Sequence, residues 1–296
     1  MDDAHRAVRF EFWRHRLTPS MPIVHAIVLG IVQGFSEFLP ISSSGHLLLV
    51  PWLFDWNDLD DASVKKTFDV ALHLGTLVAV VAYFWRDLIV YVREGLKVVF
   101  RRDEPASAEG KLAWFLLLAT LPAAAVGALF EDVIDENLGT PFIIAISLIF
   151  FGLLLGWADR MVGHRPLEDF QGKEALIVGA AQALALNPGT SRSGITMTAA
   201  RFLHFSRDAA VRISFLMSIP VIAGAVVFKG AGLAQDGLDP DLRVPMLVGI
   251  ITSAIAGWIA VWGTIKWVRT RSLMPFVIYR VALGVFVLIV LAAGWR

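Results

Sequence analysis

Residues 34–46 read GFSEFLPISSSGH. The stretch sets Glu37, three consecutive serines and His46 between apolar neighbours. Pro40 and the serine–glycine turn break any helix that runs through it. Polar groups and broken backbone at membrane depth are tolerated only where protein or a wet cavity satisfies them. A second stretch of this kind lies far along the chain: NPGTSRSGIT, residues 187–196. Each sits inside a longer apolar segment, 21–54 and 175–205, that is too apolar for a loop and too interrupted for a span. That pattern predicts two re-entrant helical hairpins, in which a helix enters the bilayer, breaks and returns to the same side.

The rest of the chain supplies the membrane. Of 296 residues, 56% are hydrophobic and only 18% charged, against about 25% charged in soluble domains. Stretches 112–130, 138–158 and 244–265 hold no charge, 70–85 and 213–228 are shorter, and 272–295 is interrupted only by Arg280. Six spans follow. The fold class is an all-α polytopic membrane protein with six transmembrane helices and two re-entrant hairpins. Formal net charge is zero, so no nucleic-acid partner is implied. The chain has no cysteine, which excludes disulfides, thiolate catalysis and Cys-held metal sites. The start, MDDAHRAVRFEFWRHRL, lacks the apolar core and cleavage site of a secretory signal. Residues 1–20 read either as an interfacial helix carrying Phe10, Trp13 and Leu17, or as a frayed extension.

The two broken segments align at an offset of 149: Gln33 falls on Gln182, Ser42 on Ser191, Ser44 on Ser193 and Gly45 on Gly194. The third span of each half opens alike, PFII at 141 and PFVI at 275. One membrane domain, 21–296, therefore reads as two repeats, about 21–160 and 174–296. Three spans per half is odd, so the second repeat is inverted relative to the first.

Lys and Arg in short loops set orientation. Loops 86–111, 159–173, 201–212 and 266–271 hold 15 of them, whereas 55–69, 131–140, 229–243 and the tail hold five. The first set is cytoplasmic. The second is external and acidic, with Asp55, Asp58, Asp60, Asp61, Glu131, Asp132, Asp135 and Glu136. Arg6, Arg9, Arg14 and Arg16 disagree, since this orientation puts the N-terminal extension outside. The internal loops agree with one another and decide the matter. The first hairpin then opens outward, the second inward, and their tips meet near the midplane.

Gln33 and Glu37, at i and i+4, share a helix face. The turn at Ser42, Ser43, Ser44 and Gly45 exposes consecutive N–H groups and hydroxyls, an anion-binding concavity. His46 opens the return helix. The second tip offers Ser191, Arg192, Ser193 and Thr196. Arg192 is permanently cationic and fork-shaped, suited to phosphate oxygens. A carboxylate, a hydroxyl, an imidazole and a guanidinium converging at one place are the parts of phosphoryl transfer. Taken singly, the serine turns read as helix caps and the histidine as a packing residue. His73 reads as structural or pocket-lining, Arg280 as a snorkelling side chain, and Arg201, Arg207 and Arg212 as cytoplasmic-loop charges.

At QGFSEFLPISSSGHL (33–47), FDVALHLGTLVAV (68–80), NPGTSRSGIT (187–196) and PFVIYR (275–280) the chain resembles the bacterial undecaprenyl-diphosphate phosphatases of the bacitracin-resistance type. The resemblance runs from about Met21 to the C-terminus. It implies removal of the terminal phosphate from a C55 isoprenyl diphosphate, recycling the lipid carrier of cell-wall synthesis. It also implies a divalent cation, Mg or Ca, a multi-pass place in the bacterial cell (inner) membrane, and an active site facing outward. By the same resemblance Ser43 is the nucleophile with Ser42 beside it, His46 the motif histidine and Arg192 the phosphate-binding arginine. Ser44, Gly45, Ser191, Ser193, Gly194 and Thr196 complete the substrate-binding motifs. Glu37 and Gln33 stand at the family's acidic pair and are the expected metal ligands, although Gln33 leaves the pair with one carboxylate. His73 stands where relatives carry glutamine.

A soluble-type acid phosphatase is the nearest enzymatic rival, and it needs histidine six residues after its arginine. Thr198 and Ile213 stand there instead. A transporter or flippase of polyprenyl phosphates is the rival from another class. It needs anion contacts but no nucleophile. A homodimer is left open.

Overall fold

The computed structural model describes residues 21–59, 61–101, 103, 105–236 and 240–295. The expectations for residues 1–20 lie outside the described residues. Helices account for nearly everything described, and the only strand-like pairing among these residues is a single bridge, Arg165 with Phe205.

Two short helices open the chain, α1 (Ile23–Phe38) and α2 (Ser43–Phe54). Between them Leu39 is extended, φ −64° and ψ 141°, because a residue before proline is pushed out of the helical region. Ser42 follows at φ 80° and caps α2 by accepting from Gly45 N. Four helices come next: α3 (Ala62–Phe100), then α4 (Ala108–Leu118) running into α5 (Leu121–Asn137), then α6 (Pro141–Arg160). The second half repeats this order. A short pair, α7 (Gly172–Ala183) and α8 (Arg192–Phe202), precedes α9 (Arg207–Asp236), α10 (Arg243–Val268) and α11 (Met274–Ala292). Ser191 caps α8 at φ 73°, accepting from Gly194 N.

Among the described residues six helical segments are long and apolar enough to cross a membrane: Ser63–Phe100, Ala108–Phe130, Pro141–Arg160, Arg207–Gly230, Pro240–Val268 and Met274–Ala292. The protein is an all-helical, multi-pass membrane protein. Large apolar side chains lie bare on the outward faces, among them Phe142, Phe150, Trp157, Ile255, Ile278 and Ile289. In lipid such faces are solvated rather than stranded, and helix association rests on close packing and interhelical hydrogen bonds.

The helices exchange partners between the halves. α1 packs along α10, α3 along α9 and α10, α6 along α11, and α7 against α4 and α5. The α1–α10 seam is built from small residues. A Cβ on Gly34 would stand 2.5 Å from Ala256 Cβ and 2.7 Å from Ser253 O, so glycine there fixes how near the backbones come. The largest buried cluster draws Phe38, Phe84, Leu155, Phe205, Phe215 and Leu273 from both halves.

Two arginines read from the sequence as exposed prove buried. Arg201, 3% exposed, donates to the carbonyls of Phe205, Asp159 and Met161. Beside it Asp159 holds Arg207 through both carboxylate oxygens, at 2.6 and 3.2 Å, and accepts from Leu273 N at 3.0 Å. Backbone groups that the loop leaves unpaired consume these side chains. Arg280, expected to snorkel, has no exposure at all. It is enclosed because α6 and α8 carry Gly152 and Gly194 where it passes, and a Cβ on Gly194 would meet its guanidinium at 2.8 Å.

Candidate active site

The last turn of α1 delivers Glu37, 5% exposed, and three donors meet it, one from each break and one from α1 itself. Ser43 Oγ donates to Glu37 Oε2 at 2.6 Å. Gln33, one turn earlier on the same face, donates Nε2 to that oxygen at 3.2 Å. Arg192 Nη2 donates to Glu37 Oε1 at 2.9 Å. A hydroxyl–carboxylate contact this short is charge-assisted, as is the guanidinium pair. Arg192 is steadied by Ser214 O at 3.0 Å, while its Nε–H, though buried, has no partner. The Gln33 amide oxygen is likewise buried and unpartnered.

The two breaks are also stitched to each other. Ser42 Oγ accepts from Gly189 N at 3.1 Å, and Ser193 Oγ donates to Leu39 O at 3.0 Å. Gly45 packs against Gly189, where a Cβ would lie 3.4 Å from the Gly189 Cα. Gly189 turns at φ 93°, a conformation glycine adopts without strain. Thr196 Oγ1 donates to Ser214 Oγ at 2.8 Å, tying α8 to α9. Ser191 Oγ lies 3.2 Å from Ser193 Oγ. Ser42, Ser191, Ser193, Gly45, Gly194 and Thr196 thus hold the tips together. Ser43 and Arg192 face the carboxylate, and Ser44 stands exposed.

Residues 26–286 match the model of the family described as Bacitracin resistance protein BacA. The chain belongs to this family. The undecaprenyl-diphosphatase of Moorella thermoacetica is 45% identical over 272 residues, covering 91% of this chain and 98% of that relative. That of Geotalea daltonii is 46% identical over 277 residues, covering 93% of this chain and all of the relative. That of Geobacter sulfurreducens is 45% identical over 275 residues, with 92% and 100% covered.

In this family member the structure brings to Glu37 a residue that the sequence left as structural or pocket-lining. His73, on α3, places Nε2 3.8 Å from Glu37 Oε2. Its Nδ1 lies 2.7 Å from Asp69 O. A carbonyl only accepts, so Nδ1 carries the proton and Nε2 faces the carboxylate. The i, i+4 register of Asp69 and His73 was readable in the sequence, but not the arrival of α3 at Glu37. His46 lies elsewhere than its motif suggests. Its Nδ1 meets Ser42 O at 2.6 Å and its Nε2 meets the Tyr279 hydroxyl at 2.7 Å, the two rings stacked 5.6 Å apart. Both of its nitrogens are engaged away from Ser43 and Glu37.

The site's donor set admits a divalent cation. Among the described residues no group of three or more His, Cys, Asp or Glu could hold a metal by itself. Gln33 turns its amide nitrogen to Glu37, so its unpartnered oxygen would join Glu37 on a cation only with the amide flipped; both are hard oxygen donors. Mg in particular binds through one or two protein oxygens and completes its shell with water and substrate phosphates.

Proposed function

We propose that this protein hydrolyses undecaprenyl diphosphate to undecaprenyl phosphate and inorganic phosphate, returning the lipid carrier of cell-wall synthesis to use. The activity is that of its relatives. The observation that carries the mechanism is one hydroxyl, Ser43 Oγ, held 2.6 Å from a carboxylate whose other oxygen is paired with Arg192 at 2.9 Å.

Arg192 binds the terminal phosphate through the N–H groups it does not spend on Glu37 and Ser214, its free Nε–H among them. Charge on the equatorial oxygens is stabilised where it develops. Ser43 Oγ attacks the terminal phosphorus, its proton passing to Glu37 Oε2. The new bond is Oγ–P, and the P–O bond to undecaprenyl phosphate breaks. Water then cleaves the phosphoserine, releasing inorganic phosphate and restoring the hydroxyl. His73 Nε2 stands next to Glu37 to share its proton. His46 orients α2 and Tyr279. Glu37 and Gln33, the latter with its amide oxygen turned inward, would hold Mg or Ca, which would supply positive charge near the diphosphate.

The short helix pairs α1–α2 and α7–α8 are re-entrant hairpins of an inverted repeat, in a domain spanning 21–296. Matched caps at Ser42 and Ser191, and the exchange of packing partners between halves, support this reading. The charge of the loops supports an outward-opening first hairpin and an inner-membrane location. A diphosphate crosses hydrocarbon at great cost, so a recycling enzyme works where the carrier sheds its cargo.

The test is phosphate release from undecaprenyl diphosphate by purified protein in detergent. Tight binding without release would favour a lipid transporter, for which a hydroxyl on the carboxylate has no use. Sidedness is read from a membrane-impermeant thiol reagent on intact cells: Ser44→Cys is labelled and Arg165→Cys is not. The reverse pattern overturns the outward-facing site.

A further inference from the structure

Among the described residues Arg280 is the largest side chain that is wholly buried, and each of its hydrogen-bond partners is a backbone carbonyl oxygen. Nε donates to Leu148 O at 3.2 Å and Nη1 to Pro40 O at 3.3 Å. Nη2 donates to Gly189 O and Thr190 O, both at 2.9 Å, and reaches Ser147 O at 3.5 Å. Pro40 belongs to the first break, Gly189 and Thr190 to the second, Ser147 and Leu148 to α6. One guanidinium from α11 therefore bonds both breaks and the helix between them. The planar fork of arginine, with five donors in fixed directions, is what allows three separate segments to be held at once.

We propose that Arg280 is a positioning residue: by holding Pro40 O against Gly189 O and Thr190 O, it sets the two breaks in the register that brings Arg192 to Glu37. The proposal rests on the phosphatase reading for its consequence, but not for its geometry. A peptide's C=O and N–H point in opposite directions. Drawing the Thr190 carbonyl to Arg280 therefore turns the Ser191 N–H the other way, toward the start of α8, where Arg192 follows. At the first break the Pro40 carbonyl is fixed three residues before Ser43. Charge adds a second effect. The ligands of Arg280 are dipoles rather than a carboxylate, so the positive charge is solvated without being cancelled. It remains available to favour a polyanion at the adjoining tips. The room for it is built in: Gly152 on α6 and Gly194 on α8 each lie where a Cβ would crowd Arg280, at 3.1 and 2.8 Å.

The experiment compares Arg280→Lys with Arg201→Lys in the full chain, purified and reconstituted in lipid nanodiscs. Both remove a buried arginine that bonds backbone carbonyls, but Arg201 lies at the far end of α8, away from the breaks. Lysine keeps the charge and offers its donors from a single nitrogen. Arg280→Lys is expected to lower kcat about a hundredfold with KM within about threefold of the parent, because binding survives while alignment is lost. Arg201→Lys leaves kcat per folded molecule unchanged. An activity-independent readout accompanies this. Backbone amide exchange over 39–46 and 187–194 rises about tenfold or more in Arg280→Lys and stays put in Arg201→Lys. Unchanged exchange at the breaks, or equal kcat losses in the two variants, overturns the proposal. A KM increase with kcat intact also overturns it, since Arg280 would then only bind substrate. If Arg280→Lys fails to fold, Gly194→Ala, which crowds the same guanidinium from the α8 side, is measured in its place with the same expectations. A parent protein that releases no phosphate sinks the phosphatase reading alone, while the exchange measurement still judges Arg280.

Discussion

Ser42 and Ser191 stand at φ 80° and 73°, and each accepts from the N–H three residues on, Gly45 at 3.3 Å and Gly194 at 3.1 Å. Each is followed two residues later by a serine whose hydroxyl turns back toward it, at 3.5 and 3.2 Å. The same offset of 149 that pairs these positions pairs Glu37 with Leu186, Ser43 with Arg192 and His46 with Ile195. Positions that shape the backbone are alike in the two breaks. Positions that reach into the space between them differ, and they differ in a complementary way: an acid and a hydroxyl on one side, a guanidinium on the other. Gln182, the counterpart of Gln33, is buried with neither amide atom bonded, having no acid one turn ahead of it. A repeated scaffold and an asymmetric site are therefore compatible, because capping uses the Ser42 hydroxyl and the Gly45 N–H while chemistry uses 37 and 43.

The comparison breaks most visibly at Glu37, which serves both tips. Glu37→Gln loses the pair with Arg192, the acceptor for Ser43 and the only charged oxygen beside Gln33. The expected outcome is a fall in kcat of about a thousandfold or more, with Mg binding by calorimetry lost in parallel. Chelation of the parent enzyme should reproduce the loss of turnover, and Gln33→Glu should tighten Mg. Unaltered turnover in excess chelator would falsify the metal's part.

Next come the paired positions. Ser43→Ala is expected to lower kcat about a hundredfold or more while substrate still binds. Arg192→Lys should cost about tenfold to a hundredfold, with KM raised as well, since the fork that spans Glu37 and the phosphate is replaced by a point charge. Steady-state kinetics on both variants separates the roles. Identical kcat and KM changes would mean that the two breaks do not divide the work.

The smallest effect is on stability. Ser191→Ala should cost about 1 kcal/mol as a lost cap. Ser42→Ala should cost roughly twice that, since Ser42 Oγ also accepts from Gly189 N across the tips and its loss leaves that donor buried and unpaired. Thermal unfolding in detergent compares them. Equal losses would show the cross-tip bond to be energetically idle.

Much of this was legible in the sequence because lipid is an unforgiving solvent. Six apolar segments had to be helices, since no other structure satisfies its own backbone there apart from a closed barrel. The two breaks announced themselves by Pro, Gly and Ser where apolar residues should continue. The Glu37–Gln33 face followed from spacing. What stayed hidden were side chains whose partners are carbonyl oxygens, which every residue carries and no sequence marks. Arg280 and Arg201 looked like strays near the ends of helices for that reason. His73 read as structural or pocket-lining, and which of the two could not be told because its neighbour Glu37 lies on a different helix. His46 looked catalytic because its motif places it two residues from the serines, whereas the turn of α2 carries its ring toward Tyr279.

The exchange of packing partners has a consequence for how the protein is made. α1 completes its main contact only with α10, whose first residue, Arg243, comes 205 residues after the last of α1, Phe38. At ordinary ribosomal speeds roughly 10–40 s separate the two. Throughout that interval the newborn chain carries Glu37 and Gln33 without the Gly34 seam to shelter them, and for the first 154 of the 205 residues without Arg192. The short pair α1–α2 therefore completes its packing only once the second half arrives.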